Sequence, residues 1–400
     1  MVKKTYLQKT TLAQAHAHWF EALDRAGWFE QTAELVPTPT AHGRVSAAPI
    51  RAARAVPHVV TSAMDGIAVR AAATRTARID LPLTLKRPEG FVRVDTGDPL
   101  PDACDAVIKV EDLNFLDDRT VEIYAAAFPG QSVRPTGEDF AQGATLLGAH
   151  HPLTPEAVAA CLAAGLQTVE VVRAPKALVI PTGSELADPL HPLPPGKYPE
   201  TNTALFQGYL SRWQATPTLH PLIPDDKIAI QAAIAQGVAS HDLVLINAGT
   251  SKGREDFTTT IIERLGKVLV HGISMHPGHP VVLGVVDGKP VVGVPGYPVA
   301  TWIILNQLVL PLLEKYYGYQ LQSRHTVKGR LARKVYSSLG EIEFVRVRLQ
   351  PTDDGPLIHP LAGKASALSS LINANGILIV PEALSGYPKG EMVEVQLLMQ

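Results

Sequence analysis

Residues 241–257 read "HDLVLINAGTSKGREDF", and "TTTIIERLG" follows at once. An apolar run of strand length ends in a loop of small residues, then two acids, then a segment with helical spacing. Such a loop offers bare backbone N–H groups, and the helix start behind it favours negative charge. Carboxylates at Glu255 and Asp256 beside an anion cradle therefore need a reason. Either they cap the helix, or they hold a divalent ion that meets an anion there.

The pattern continues on both sides. "KALVIPTG" from Lys176 reads as strand and loop, "TNTALFQGYLSRW" as helix, "ATPTLHPLI" as strand and "DDKIAIQAAIAQG" as helix. Past the opening stretch, "KPVVGVPG" reads as strand and "YPVATWIILNQLVLPLLEKYYG" as helix. Strands alternating with helices imply a parallel sheet covered on both faces. Ligands of such sheets sit beyond the carboxyl ends of the strands, so "PTGSE", "AGTSKGRED" and "VPGYP" are expected to converge. Residues 10–27 have helical spacing with a terminal glycine. Residues 59–127 show short alternating runs punctuated by Gly, Pro and Asp, a small β domain. Residues 154–175 read as helix, glycine stop and strand, returning to the first domain, and the chain after Tyr319 reads as a terminal β domain.

Composition narrows the class. Four hundred residues call for two to four domains, and 46% hydrophobic content supplies their cores. Thirty-six basic and 38 acidic residues give net −2, which argues against broad nucleic-acid or membrane-surface binding. Cys104 and Cys161 form no CxxC, so neither a disulfide framework nor a thiolate zinc site is expected. No long apolar run or signal core is present, and a soluble cytoplasmic protein is expected. The absence of GxxxxGK[ST] and GxGxxG disfavours P-loop NTPases and Rossmann dehydrogenases.

The candidate acids are Glu185 after "PTGS", Asp225 and Asp226 after "PLIP", and Asp256. Glu185, Asp225 and Asp256, each taken alone, are best read as helix caps or first-turn acids, a cap contributing about 0.5–2 kcal/mol. Gathered at one sheet edge they would repel, and Mg²⁺ would offset this while recruiting a phosphate. "HGISMHPGHPVVLG" places His271, His276 and His279 within nine residues. Zinc, anion contact and an inert loop are all open readings, although the spacing fits no HExxH helix. His16 and His18 read as surface residues. Asp65, Thr96 and Asp139 sit in turn signals ("MDG", "DTGDP", "GED") and could reach a neighbouring domain or subunit.

Seven motifs now stand in order: "SAMDGIAVR", "DTGDPLPDACDAVIKVED", "VRPTGEDFAQGATLL", "IPTGSEL", "DLVLINAGTSKGREDF", "HGISMHPGHPVVLG" and "KPVVGVPGYPVA". The chain resembles the MoeA-type molybdopterin molybdenumtransferases, which include the gephyrin E domain, from about Asp65 to its end. The resemblance implies insertion of molybdate into adenylylated molybdopterin with release of AMP and Mg²⁺ present. It implies a multidomain α/β plus β fold of four regions. Residues 1–58 and 128–175 would form an elongated N-terminal domain and 59–127 an inserted β domain. Residues 176–319 would form a three-layer molybdopterin-binding α/β domain and 320–400 a C-terminal β barrel.

By matching motif, the resemblance places Asp65, Thr96 and Asp139 toward the cleft of a homodimer partner. Glu185, Asp225 or Asp226, and Asp256 would surround the pyrophosphate and metal. Gly249, Ser251, Gly253, Pro295, Gly296 and Pro298 would shape the pocket, with Ser366 a C-terminal contributor. Contacts with other cofactor-synthesis proteins would follow, and none with nucleic acid or membrane. The family commonly has "KPGKP" where this chain has His276-Pro277-Gly278-His279-Pro280, and "PGNP" where it has Pro295-Gly296-Tyr297-Pro298. Lysine is a permanent cation and histidine is not, so anion affinity should strengthen below about pH 6.5. Two other functions fit the α/β region: the preceding adenylylation step, and a non-enzymatic pterin-binding carrier or sensor.

Overall fold

The computed structural model of the chain describes residues 10–248 and 257–398. They divide into two compact units, Met1–Thr32 with Arg173–Gln400, and Ala33–Val172.

The first unit opens with helix α1 (Leu12–Arg25). Thr11 and Gln14 form a reciprocal capping box at its start, and Ala15, Trp19 and Leu23 are its buried face. His16 is half-buried, correcting its reading as a surface residue: its Nε2 donates to the Gln307 carbonyl at 2.6 Å, and its ring stacks on Phe20. Burial therefore pushes this imidazole below the ordinary histidine range.

Next come β1 (Lys176–Pro181), α2 (Asn202–Arg212), β2 (Thr216–Leu219), α3 (Lys227–Ser240) and β3 (Leu243–Ala248). They are followed by α4 (Phe257–Leu265), β4 (Lys267–His271), β5 (Met275–His276), β6 (Val282–Val286) and β7 (Lys289–Pro295). The sheet order is β2-β1-β3-β7-β6-β4. Strands β2, β1, β3 and β7 are parallel, as the βα alternation requires. Strand β6 is antiparallel to both neighbours, so the sheet is mixed. Asp287 and Gly288, both at positive φ, join β6 to β7 in two residues, and so short a turn can only make a hairpin.

One face of the sheet buries Leu178, Ile180, Val244 and Ile246 against Ile230, Ile234, Ile261 and Ile262 of α3 and α4. After β7, α5 (Pro298–Ile304) runs through a π turn at Leu305–Val309 into α6 (Leu310–Tyr317), ending at left-handed Gly318.

The C-terminal barrel is built from β8 (Thr326–Leu331), β9 (Ile342–Gln350), β10 (Leu357–Pro360), β11 (Gly376–Val380) and β12 (Met392–Leu397), with short helix α7 (Leu368–Ile372). They pair in the order β9-β10-β8-β12-β11, and β11 returns to β9, closing a five-stranded barrel. Closure leaves no open edge within the ring. Strand β5, which lies in sequence between two strands of the α/β sheet, pairs with β9 of the barrel.

In the second unit, Gly66–Val69 lies between Val92–Val94 and Ala106–Lys109, and Thr120–Ile123 between Leu83–Lys86 and Leu113–Asp117. Both sheets share a core of Ile67, Phe91, Ile108, Val121 and Ile123. Elsewhere in this unit, Ala33–Pro37 pairs antiparallel with Thr168–Val172, beside a core holding Leu153 together with Val158 and Cys161 of the helix Pro155–Ala163.

Asp242 ties the start of the α/β sheet together. Its carboxylate accepts from Arg173 Nη1 and Nη2 at 2.9 and 3.0 Å and from the Lys176 amide at 2.7 Å. Its own carbonyl accepts from the Trp28 indole at 2.8 Å. Burial pushes this carboxyl up, and the arginine and amide donors more than offset it, leaving it below the ordinary range. Asp242→Asn should lower unfolding free energy by about 1–3 kcal/mol at pH 7, read by urea denaturation. A depressed carboxyl stabilises above its unfolded value of about 3.9 and loses that contribution on protonation, so the gap to wild type should narrow as pH falls below that value.

Candidate functional site

The carboxyl ends of four strands are fastened to one another by side-chain and backbone bonds. Thr182, just after β1, donates its amide (2.9 Å) and hydroxyl (3.2 Å) to the carbonyl of Asn247 near the end of β3. The Gly183 amide donates to the Ile223 carbonyl after β2. Asn202 Nδ2 donates to Asn247 Oδ1 at 3.1 Å and to the Gly296 carbonyl beyond β7 at 2.8 Å. Thr301 Oγ1 donates to the Pro295 carbonyl at 3.1 Å. Asn202 is free for this because Glu200 caps α2 in its place, accepting from the Asn202 and Thr203 amides. Asn202 Oδ1 is buried and has no hydrogen-bond partner among the described residues.

This network brings "PTGSE" and the Pro295–Gly296 turn to one edge. Pro295 is buried, Gly296 and Pro298 are half-buried, and Tyr297 is half-exposed. Gly249, Ser251, Gly253 and Asp256 lie outside the described residues.

The acids separate into different roles. Asp226 caps α3, its Oδ1 accepting from the Ile228 and Ala229 amides at 2.8 and 3.1 Å. Asp225 pairs reciprocally with Ser184: Oδ2 accepts the Ser184 amide at 3.1 Å and its own amide donates to Ser184 Oγ at 2.9 Å. Glu185 is exposed on the same loop, and its carbonyl accepts the Tyr198 amide at 2.9 Å. Lys197 Nζ donates to the Ser184 carbonyl, putting a cation beside the acidic loop. No group of three His, Cys, Asp or Glu suited to a metal forms among the described residues. Glu185 and Asp225 suit Mg²⁺ in kind, since that ion commonly takes one or two carboxylates and completes its shell with phosphate oxygens and water.

The barrel supplies a positive side. His276 on β5 lies opposite Glu343 of β9, with Nδ1 2.9 Å from Oε1. His279 is engaged elsewhere. Its Nδ1 donates to the Ile273 carbonyl at 2.6 Å while the Ile273 amide donates to the His279 carbonyl, closing the loop on itself. Arg346, three residues along β9 from Glu343, is only 6% exposed. Its Nη2 donates to the Gly363 carbonyl at 2.7 Å and its Nε to Ser370 Oγ at 3.3 Å. No carboxylate among the described residues lies within ion-pair distance of it. The loop carrying exposed Ser366 is thus held at Gly363 by Arg346, and at Ala365, whose carbonyl accepts the Val299 amide at the start of α5.

In the second unit, Asp65 Oδ1 accepts the Thr96 amide at 2.6 Å and its hydroxyl at 2.7 Å. The Thr96 hydroxyl and amide hold this exposed carboxyl below the ordinary range. Asp139 lies apart, on a turn whose backbone bonds Val56 and Pro57.

Comparison with known proteins follows the same order along the chain. Residues 10–165 match the MoeA N-terminal region (domain I and II), 178–315 the "Probable molybdopterin binding domain", and 328–398 the MoeA C-terminal region (domain IV). A Methanocaldococcus jannaschii protein named for molybdopterin biosynthesis is 30% identical over 371 residues, 89% of each chain. The chain belongs to the MoeA family. Another relative, the molybdopterin molybdenumtransferase of Haemophilus influenzae, is 27% identical over 400 residues, covering 96% of this chain and 98% of that one. Two structures of the molybdopterin biosynthesis MoeA protein from Pyrococcus horikoshii match with TM-scores of 0.80 and 0.76. Their identities are 32% and 27%; each comparison covers 98% of this chain, and 99% and 100% of theirs.

Motif reading gives no role to five residues of this candidate site: Lys197, Asn202, Asn247, Glu343 and Arg346. Asn202 sits in "TNT" where a helix start is expected, which hides its bridging role. Arg346 carried one signal, a charge amid "EFVRVRLQ" in a strand closing on a core.

Asn202→Ala should strand the Gly296 carbonyl and Asn247 Oδ1 in a buried setting. A loss of about 1–3 kcal/mol in unfolding free energy is expected by chemical denaturation.

Proposed function

We propose that this chain inserts molybdate into adenylylated molybdopterin and releases AMP, as a step of molybdenum cofactor biosynthesis. Relatives spanning nearly the whole chain carry the name molybdopterin molybdenumtransferase, which supports transfer of molybdenum to molybdopterin. One observation carries the oxyanion half of the reading. Arg346 is a buried guanidinium bonded to a hydroxyl and a carbonyl, and among the described residues no carboxylate forms a direct ion pair with it. Burial disfavours this charge, Glu343 offsets part of that cost through space, and an oxyanion beside the Ser366 loop would bond it directly.

In this reading, Arg346, His276 and Ser366 hold molybdate. The strand ends around Gly183, Asn202 and Gly296 hold the pterin, whose N–H donors would satisfy the open Oδ1 of Asn202. Glu185 and Asp225, joined by Asp256, would hold Mg²⁺, which supplies charge neutralisation at the pyrophosphate. Lys197 stands beside those acids and contributes a cation to the same phosphates. Water adds to the pterin-side phosphorus, forming one P–O bond as the phosphoanhydride P–O bond breaks, and AMP leaves with the electron pair of the broken bond. Asp226 is left to its helix cap.

A second copy of the chain would complete the cleft with Asp65, Thr96 and Asp139, and the paired Asp65–Thr96 geometry suits a rigid contact of that kind. A cytoplasmic setting fits this chemistry, and no helix among the described residues is long and apolar enough to cross a membrane.

Adenylylated molybdopterin mixed with the protein should release AMP, and release should rise with molybdate. Arg346→Gln should weaken molybdate dependence at least tenfold, while Glu185→Ala should lower the release rate at saturating molybdate. Binding of the pterin with no AMP at any molybdate concentration would favour a carrier instead. AMP release should also be lost in Asp256→Ala with the fold intact by circular dichroism.

A further inference from the structure

We infer that Glu343 is a positioning residue for His276, fixing the ring's tautomer so that it holds an oxyanion only when protonated. This rests on the molybdate reading above.

Strand β5 is two residues long and takes its position from β9, with Met275 opposite Ile342 and His276 opposite Glu343. The Glu343 side chain is 20% exposed and the His276 ring 59% exposed, so the acid forms the inner wall and the ring the outer. A carboxylate only accepts, so the 2.9 Å contact places a proton on Nδ1. In the neutral ring Nε2 then carries a lone pair, and it has no partner among the described residues. A lone pair repels an oxyanion. Protonation turns the same atom into a charged N–H donor, reversing the sign of the interaction.

An imidazole without this contact could place its neutral proton on Nε2 and donate at any pH. Glu343 removes that option. The neighbouring charges act on the same equilibrium. The Glu343 hydrogen bond raises the ring's basicity most, partial burial opposes it, and Glu343 and Glu341 raise it through charge while Arg346 lowers it. The net direction is upward from the ordinary histidine value. The anion-holding form is therefore complete at pH values below the ordinary range and is lost as pH rises through the raised one. The expected window moves upward from the value of about 6.5 assumed for a free histidine.

The test is molybdate binding by calorimetry at pH 6.0 to 8.5, with long-range ¹H–¹⁵N correlation spectra of the histidine rings. Wild type, Glu343→Gln and His276→Lys are compared. The wild-type neutral ring should carry its proton on Nδ1. Its molybdate affinity should fall by about tenfold per pH unit above the ring's titration midpoint, as expected when one proton is required. Glutamine still accepts from Nδ1 but brings no charge, so Glu343→Gln should move both the ring midpoint and the binding midpoint down by about one pH unit. His276→Lys should bind at constant affinity across the range.

An Nε2-protonated neutral ring, or midpoints unmoved in Glu343→Gln, would overturn the inference. Flat wild-type affinity alongside tight binding by His276→Lys would sink the gate alone and leave the molybdate reading standing. No binding by either protein at any pH would remove the molybdate reading and the gate with it.

Discussion

Two amide hydrogens on Asn202 decide where the loops of the α/β domain end. One goes to Asn247 Oδ1 at 3.1 Å and the other to the Gly296 carbonyl at 2.8 Å, so a single side chain joins β3 to the turn after β7. Thr182 extends the connection to β1 through the Asn247 carbonyl, and Gly183 extends it to the segment after β2. Polar groups buried at strand ends must be paired, and here neighbouring loops supply the partners. That requirement is what turns separate βα loops into one rim. The exception among the described residues is Asn202 Oδ1, which is buried without a partner.

The rim also sorts the acids, which look alike in sequence. Asp225 and Asp226 are neighbours, yet Asp226 commits one oxygen to two α3 amides while Asp225 exchanges bonds with Ser184. A helix N-terminus with exposed amides captures the nearer carboxylate, because the cap satisfies donors that the helix cannot. The other acid is then drawn toward the β1 loop, where Glu185 stands. Lys197 arrives at the same loop because Leu186–Ala187 and Tyr198–Pro199 pair as short parallel strands. An acidic loop with a lysine against its backbone is suited to a pyrophosphate and its counter-ion together, more than to a closed protein-only metal cage.

Much of the fold is readable because its signals are local. The βα alternation from Lys176 to Gly318 rests on apolar runs, glycine stops and helical spacing, and these belong to single segments. The hairpin at Asp287–Gly288 is equally local, and without it the alternation implies an all-parallel sheet. What the sequence hides is pairing between distant segments. Arg346 and Gly363, Glu343 and His276, and Asn202 and Gly296 are 17, 67 and 94 residues apart. Nothing in a strand pattern says that a glutamate near the chain's end will face a histidine in an earlier loop. The motif order supplies the family, and the family implies where to look, but the partners of each charge come only from the folded geometry.

The pairing of β5 with β9 shows how such distance becomes chemistry. Met275 and His276 lie between β4 and β6 of the α/β sheet, and a loop there would be free to present its imidazole in either tautomer. By pairing with the barrel, the loop exchanges that freedom for a fixed register against Ile342 and Glu343. Arg346 follows on the same barrel strand as Glu343, so the permanent cation and the acid that holds the titratable one share β9. The permanent charge is buried and bonded to the Ser366 loop, whereas the titratable one is half exposed and bonded to an acid. Solvent access is needed for a proton to exchange, and burial is needed for a cation to bind an anion strongly. The two residues together supply what neither environment provides alone.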